Sequence, residues 1–193
     1  MGDPTSSPIP AAVEAVRSGQ VVGVPTDTVY GIGVDPANEA AFARLYEIKG
    51  RPSDKPISLM VGSLAQAAGL VSLTVEAVEL ASRHWPGPLT LVARTNRPLP
   101  DWVGDPASST VGVRVPDHPG LLGLLAETGP LAVTSANLSG APPVMDHEEA
   151  QAVFGEAVAV YLPGRCPGGV ASTVVDVTGL TPRMLRLGPV TLD

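Results

Sequence analysis

The sequence predicts a single α/β domain, on three observations. Segments with helical spacing of apolar residues alternate with short β-branched runs, a pattern that favours α/β architecture. Capping side chains and Gly or Pro mark the joins between them. The 193 residues are 44% hydrophobic and 16% charged, with no break in composition, which is enough for one sizeable core. Residues 1–193 are therefore read as one unit, with the small polar residues 1–7 as a loose terminus.

The elements follow in order. Residues 9–17 read as a helix, with proline tolerated in the first turn and Gly19 closing it. Residues 20–24 form a buried strand that Pro25 ends, since proline cannot donate to a ladder. A loop is expected next. Thr26, Asp27, Thr28 and Tyr30 offer hydroxyls and a carboxylate, while Gly31 and Gly33 permit close backbone approach to a small polar ligand. Tyr30 itself is expected to pack, with its hydroxyl at the surface. Asn38 can cap a helix carrying Phe42, Leu45, Tyr46 and Ile48 near helical spacing, and Gly50 suits the position beyond its end. Residues 57–61 are a strand. Ser63 with Gln66 makes a capping box for a short helix, and Thr74 caps another over 75–84, which Trp85-Pro86-Gly87-Pro88 breaks before a strand at 89–93.

Residues 98–109 are irregular and are a candidate cover over a site. The strand 110–115 places Arg114 opposite the face of Val111, Val113 and Val115. A cation there needs a partner, either a structural acid or the anion of a ligand. A helix at 121–127 and a strand at 131–134 lead into Ser135-Ala136-Asn137, small polar groups at the strand end where open α/β sheets place ligands. Asp146 and Glu149 open a helix to Phe154, and strands follow near 158–162, 172–177 and 184–187. Gly168 and Gly169 give a flexible approach to Ser172.

Charge singles out one stretch. Lys49 and Lys55 are the only lysines of a chain whose formal charge is -7, and Arg51 lies between them. This reads as an anion site, against the plainer alternative of a solvated basic loop. The preceding helix C-terminus does not attract anions, so affinity must come from the side chains. In extended backbone Lys49 and Arg51 would point the same way and meet one anion.

Several functions are disfavoured. The acidic balance leaves few cations for a broad nucleic-acid groove. No apolar run reaches the roughly 18 residues of a membrane span, and the N-terminus lacks the features of a signal peptide, so a cytoplasmic location is expected. Cys166 stands alone as an incidental thiol; His84, His118 and His147 lack metal-ligand spacing, the latter two reading as a surface loop and a helix start. Phosphate-loop, dinucleotide-fold, nucleophile-elbow and zincin motifs are missing. What remains, cations and hydroxyls without an obvious nucleophile, suits electrostatic catalysis of phosphoryl or nucleotidyl transfer.

PTDTVYGIG at 25–33, KGRPSDKP at 49–56, WPGPLTLV at 85–92, TVGVRVPDHP at 110–119, TSANLSG at 134–140 and STVVD at 172–176 together resemble the YrdC-like family of L-threonylcarbamoyladenylate synthases. The resemblance covers nearly the whole chain. It implies a twisted mixed sheet flanked by helices, with a concave ligand-binding cavity. It also implies a reaction of L-threonine, bicarbonate or CO2, and ATP that yields L-threonylcarbamoyl-AMP and pyrophosphate. The product would serve threonylcarbamoyladenosine synthesis next to the tRNA anticodon, through separate transferase proteins. Lys49, Arg51 and Lys55 are expected to neutralise the leaving pyrophosphate, with Mg2+. Carried over by position, Thr28, Arg114, Ser135 and Ser172 fall to the threonine and carbamate side, with Thr134 as a substitute for Ser135. Arg51, Lys55, Thr110, Asn137 and Arg186 fall to ATP. The Ser135/Asn137 spacing mirrors Lys49/Arg51, so each pair is expected to present two groups to one ligand. Met60 stands where many members have histidine, so any imidazole contact is lost there or supplied by main chain. The chain resembles the short form, without the further C-terminal domain of longer relatives. Two other readings are a double-stranded RNA-binding module of the same fold and a relative using carbamoyl phosphate. The negative charge weighs against the first, and the lack of acylphosphatase-like or zinc-finger segments against the second.

Overall fold

Four helix starts are fixed by side chains that accept the otherwise unpaired N–H groups of the first turn. Asn38 Oδ1 accepts from Ala41 N (3.0 Å), Ser63 Oγ from Gln66 N (3.1 Å), Thr74 Oγ1 from Ala77 N (3.2 Å) and Asp146 Oδ1 from Glu149 N (2.9 Å). The reciprocal arm of the two expected capping boxes lands one residue earlier. Gln66 Oε1 takes Gly62 N, and Glu149 Oε2 takes Met145 N.

The computed structural model describes residues 8–52 and 54–192; the expectation for residues 1–7 lies outside them. In chain order the elements are α1 (Ile9–Arg17), β1 (Val22–Val24), β2 (Gly31–Val34), α2 (Glu39–Lys49), β3 (Ser58–Met60), α3 (Leu64–Ala68) and α4 (Val75–His84). They continue with β4 (Leu89–Arg94), β5 (Thr110–Arg114), α5 (Pro119–Thr128), β6 (Leu131–Ser135), α6 (His147–Phe154), β7 (Val160–Tyr161), β8 (Thr173–Asp176) and β9 (Arg183–Arg186). The strands form one nine-stranded sheet in the order β7-β1-β2-β6-β3-β5-β4-β8-β9. Pairing is mixed: β1/β7, β3/β5 and β4/β8 are parallel, and the remaining neighbours are antiparallel.

Three expectations change. Gly31 and Gly33 lie in β2, not in a loop, where Gly31 pairs with Ser135 and Gly33 with Val133. A Cβ on either would approach a Val133 methyl to 2.8 Å, so these glycines make room for a cross-strand valine. Lys49 is the last residue of α2, with Gly50 left-handed behind it at φ 60°, so it does not alternate with Arg51 along extended backbone. Tyr30 is fully buried, and its hydroxyl donates to Leu162 O at 2.7 Å instead of reaching the surface.

One sheet face carries Ile32, Val34, Leu59, Val111, Val113, Leu91 and Val175, packed with Phe42, Leu45, Ala67, Ala77 and Leu80 of the helices α2, α3 and α4. On the other face α1 and α5 cover one half, burying Val13, Val16, Leu121, Leu124 and Leu125 with Val22, Val24, Met60, Leu131 and Val133. The half of that face toward β4, β8 and β9 carries Thr90, Val92, Val174 and Arg186, which line a cavity. That is where the site lies.

Residues 98–109 are irregular, as expected, and are tied to the body of the protein. Trp102 Nε1 donates to Pro36 O (3.0 Å), Val103 is buried, and Asp105 pairs with Thr110. No helix among the described residues is long and apolar enough to cross a membrane.

Candidate active site

Alternation along the strands puts every second residue on the face that α1 and α5 leave open. The registers Thr90↔Val174, Met60↔Arg114 and Val174↔Arg186 set Arg114, Thr90 and Arg186 in one row with the apolar Met60 and Val174 among them. Beside that row, Val92↔Gly112 and Ser58↔Val133 form a shallower one. Gly112 has no room for a side chain, since a Cβ would lie 2.6 Å from Ser58 Oγ. The result is a cavity of about 450 Å3 whose lining includes Thr28, Arg51, Met60, Thr110, Arg114, Ser135, Ser172 and Arg186. Thr134 lines it too.

Arg114 forms the floor and is 2% exposed. Its Nε donates to Gly87 O (3.0 Å), Nη1 to Thr28 Oγ1 (3.0 Å) and Nη2 to Asp27 Oδ1 (2.5 Å). Both sequence-level alternatives thus bear on one side chain: it has a structural acid and it faces a cavity. Burial lowers its pKa, and the charge and hydrogen bond of Asp27 oppose that shift. Thr28 continues the network. Its hydroxyl lies 2.9 Å from that of Thr26, which donates to Val29 O at 2.7 Å. With the Thr26 proton committed there, Thr28 accepts from Arg114 and donates to Thr26.

At the other wall, Arg186 Nε donates to Ser172 O (3.0 Å) and Nη2 to Ser172 Oγ (3.1 Å), while Ser172 Oγ lies 2.8 Å from Thr90 Oγ1. Burial lowers the Arg186 pKa, and the nearby charge of Arg51 adds to the shift. Arg51 closes its own loop, Nε to Lys55 O (2.9 Å) and Nη2 to Pro56 O (3.0 Å), and Tyr46 OH also donates to Lys55 O (2.9 Å). Among the described residues neither Arg51 nor Arg186 has a carboxylate within ion-pair distance.

Lys49, Lys55 and Asn137 do not line the cavity. Lys49 is 3% exposed, and its Nζ donates to Ser135 O (2.6 Å) and Asn137 O (2.9 Å), with Asn137 Oδ1 at 3.2 Å and Ser135 Oγ at 3.4 Å. The Lys49/Arg51 and Ser135/Asn137 pairs were expected to present two groups each to one ligand; instead the lysine of one holds the backbone of the other. Burial, with the Arg51 charge adding to it, pulls its pKa down to about 8. Asn137 spends its Nδ2 on Leu138 O and Ala141 O, and Lys55 is exposed.

Sequence reasoning missed Thr90 and Asp105, both in the lining. Thr90 had a signal, a hydroxyl between the leucines of an apolar strand. Cys166 and His118 also differ from expectation. The thiol is buried and accepts from Thr26 N at 3.3 Å, holding the Thr26 turn in place. His118 is half-buried at the start of α5, and burial lowers its pKa. His147 begins α6 as expected.

The family model Sua5/YciO/YrdC, described as telomere recombination, matches residues 14–188. A Mycobacterium tuberculosis (strain ATCC 25618 / H37Rv) protein provisionally named threonylcarbamoyl-AMP synthase is 47% identical over 187 residues, covering 96% of this chain and 86% of that one. The structure of Pyrococcus abyssi Sua5 complexed with L-threonine superposes with a TM-score of 0.88 at 37% identity, over 93% of this chain and 54% of that one. This chain thus spans about half of that protein's length. Escherichia coli YciO gives 0.86 at 29% identity, over 94% and 89%. Full-length HypF in a phosphate- and nucleotide-bound form, at 21% identity and 0.82 over 95% of this chain and 29% of that one, shares the fold alone. With the match running nearly end to end and the fold reproduced, the chain belongs to the Sua5/YciO/YrdC family.

Proposed function

We infer that this chain is an L-threonylcarbamoyladenylate synthase. The observation that carries the reading is the convergence of Arg114, Arg51 and Arg186 on one cavity, the first neutralised by an acid and the other two not. Such a cavity suits an amino acid at one end and a polyphosphate at the other. The family and the threonine complex of the P. abyssi relative support the same assignment.

In this reading Arg114 takes the threonine carboxylate, and the hydroxyls of Thr28, Ser135 and Ser172 surround the amine and the carbamate formed from it. Met60 supplies apolar surface beside them. The amine and bicarbonate condense with loss of water, forming the N–C bond. A carbamate oxygen then attacks the α-phosphorus of ATP as the bond to pyrophosphate breaks. Arg51 and Arg186, with the Thr110 hydroxyl, meet the charge that grows on the leaving group. This is stabilisation by prepositioned donors and needs no protein nucleophile. Lys49 supports the reaction from outside the cavity, by holding Ser135 and Asn137.

Mg2+ enters as part of the substrate, chelated by the ATP phosphates. Among the described residues Asp105 is the one carboxylate in the cavity lining, its oxygens accepting from Ala107 N and Ser108 Oγ, and no group of three His, Cys, Asp or Glu side chains is fit to hold a metal. The adenylate passes to separate proteins that modify tRNA, direct tRNA binding being weak for a chain of charge -7. A cytoplasmic location fits that role.

The test is incorporation of radiolabelled bicarbonate into an adenylate, expected only when L-threonine and ATP are both present. Label entering from carbamoyl phosphate instead overturns the reading, and salt-sensitive binding of double-stranded RNA without ATP turnover replaces the enzyme with a binding module.

A further inference from the structure

We propose that Asp27 is the positioning residue that sets Arg114 for a carboxylate ligand, acting on the guanidinium from outside the cavity lining without touching the ligand. The proposal rests on the reading that Arg114 binds the threonine carboxylate. Three of the five guanidinium hydrogens are used within the protein: Nε on Gly87 O, one of Nη1 on Thr28 and one of Nη2 on Asp27. One hydrogen is left on each terminal nitrogen for a ligand anion.

Asp27 is placed to fix that orientation. Its Oδ1 accepts from Arg114 Nη2 and also from Asp117 N (3.1 Å), so the carboxylate is itself held by the segment between β5 and α5. Thr26 and Thr28, on either side of it in the chain, line the active cavity, and Asp27 does not. It lines instead a second cavity of about 480 Å3, together with Gly87 and Asp117, whose lining does not include Arg114. The carboxylate therefore adjusts the direction of Arg114 from outside the ligand's reach. Its negative charge also offsets the cation, so an arriving carboxylate meets a guanidinium that is oriented but already partly neutralised. Placement, more than net attraction, is what Asp27 contributes.

The experiment is calorimetric titration of the full chain with L-threonine and, separately, with MgATP. Asp27→Ala is expected to raise the threonine Kd by about tenfold or more while leaving the MgATP Kd within about twofold. Asp27→Asn keeps an oxygen in the same place without the charge, and is expected within about threefold of the parent for threonine. An unchanged threonine Kd in Asp27→Ala overturns the proposal, as does an equal loss for both ligands, which marks a merely structural residue. An Asn variant as weak as the Ala variant also overturns it, since charge and not placement would then matter. Should Asp27→Ala not fold, Asp27→Glu serves: it keeps the charge but moves the oxygens by one methylene. A selective threonine loss there supports the proposal and none overturns it. Arg114→Ala separates the two levels. If it binds threonine normally, the reading of Arg114 itself fails; if it loses threonine while the Asp27 variants do not, only the role of Asp27 fails.

Discussion

The floor and the rim of the cavity use the same side chain differently. At the floor Arg114 is buried, has its charge met by Asp27 and makes three hydrogen bonds inside the protein. At the rim Arg51 and Arg186 bond only carbonyls and one hydroxyl, and their charge is left uncompensated. The contrast teaches that a buried cation must be paid for before any ligand arrives, whereas a rim cation can wait for one because water still screens it. The floor is thus built for shape and the rim for charge.

The sharpest way to break this comparison is to remove the cation at each place. Arg114→Ala leaves the partly buried Asp27 carboxylate without its cation, though still bonded by Asp117 N, and is expected to cost about 3 kcal/mol in urea unfolding, whereas Arg51→Ala is expected to stay within about 1 kcal/mol. Equal costs would erase the distinction. Activity should then separate in the other sense: a folded Arg51→Ala is expected to lose about 100-fold or more in adenylate formation with threonine affinity unchanged, measured as label incorporation and by titration.

Lys49 tests a third kind of cation, buried yet without an acid. Its folded pKa of about 8 lies below its ordinary 10.5. Below pH 8 folded and unfolded chains both hold the proton and the burial penalty acts in full. As pH rises from there toward 10.5 the folded chain sheds the proton first, so the Lys49 contribution to stability increases, by roughly 2 to 3 kcal/mol over the window. Cys166 and Tyr30, whose pKa values burial raises, lower stability from their ordinary 9.0 and 10.0 upward, and they are common to parent and variant. The quantity to measure is therefore the unfolding free energy of the parent minus that of Lys49→Met, which should grow between about pH 7.5 and 9.5. A constant difference would mean that the amine keeps its ordinary proton affinity. The smallest effect expected is for Thr74→Ala, about 1 kcal/mol from a lost cap remote from both floor and rim, with no change in turnover.

Local features were legible in the sequence because their partners are near in the chain. The caps at Asn38, Ser63, Thr74 and Asp146 each accept from a residue three positions on, and all four were readable. What was not legible depends on distant partners. The glycines of β2 looked like loop punctuation, and only Val133, about a hundred residues away, explains them. Arg114 was readable as a cation needing company, but not that Asp27 provides it across 87 positions. Lys49 was misplaced for the same reason: a run of cations suggests one ligand, and nothing local shows that the carbonyls of Ser135 and Asn137 have already claimed its ammonium.

That claim has a practical side. With Lys49 caged by oxygens, amine-directed reagents meet one accessible lysine on the folded chain, Lys55, next to Pro56 of the cavity wall. A dye coupled there, after the α-amino group has been blocked near about pH 7 where its lower pKa makes it the more reactive amine, would report on nucleotide arrival without any engineered attachment point.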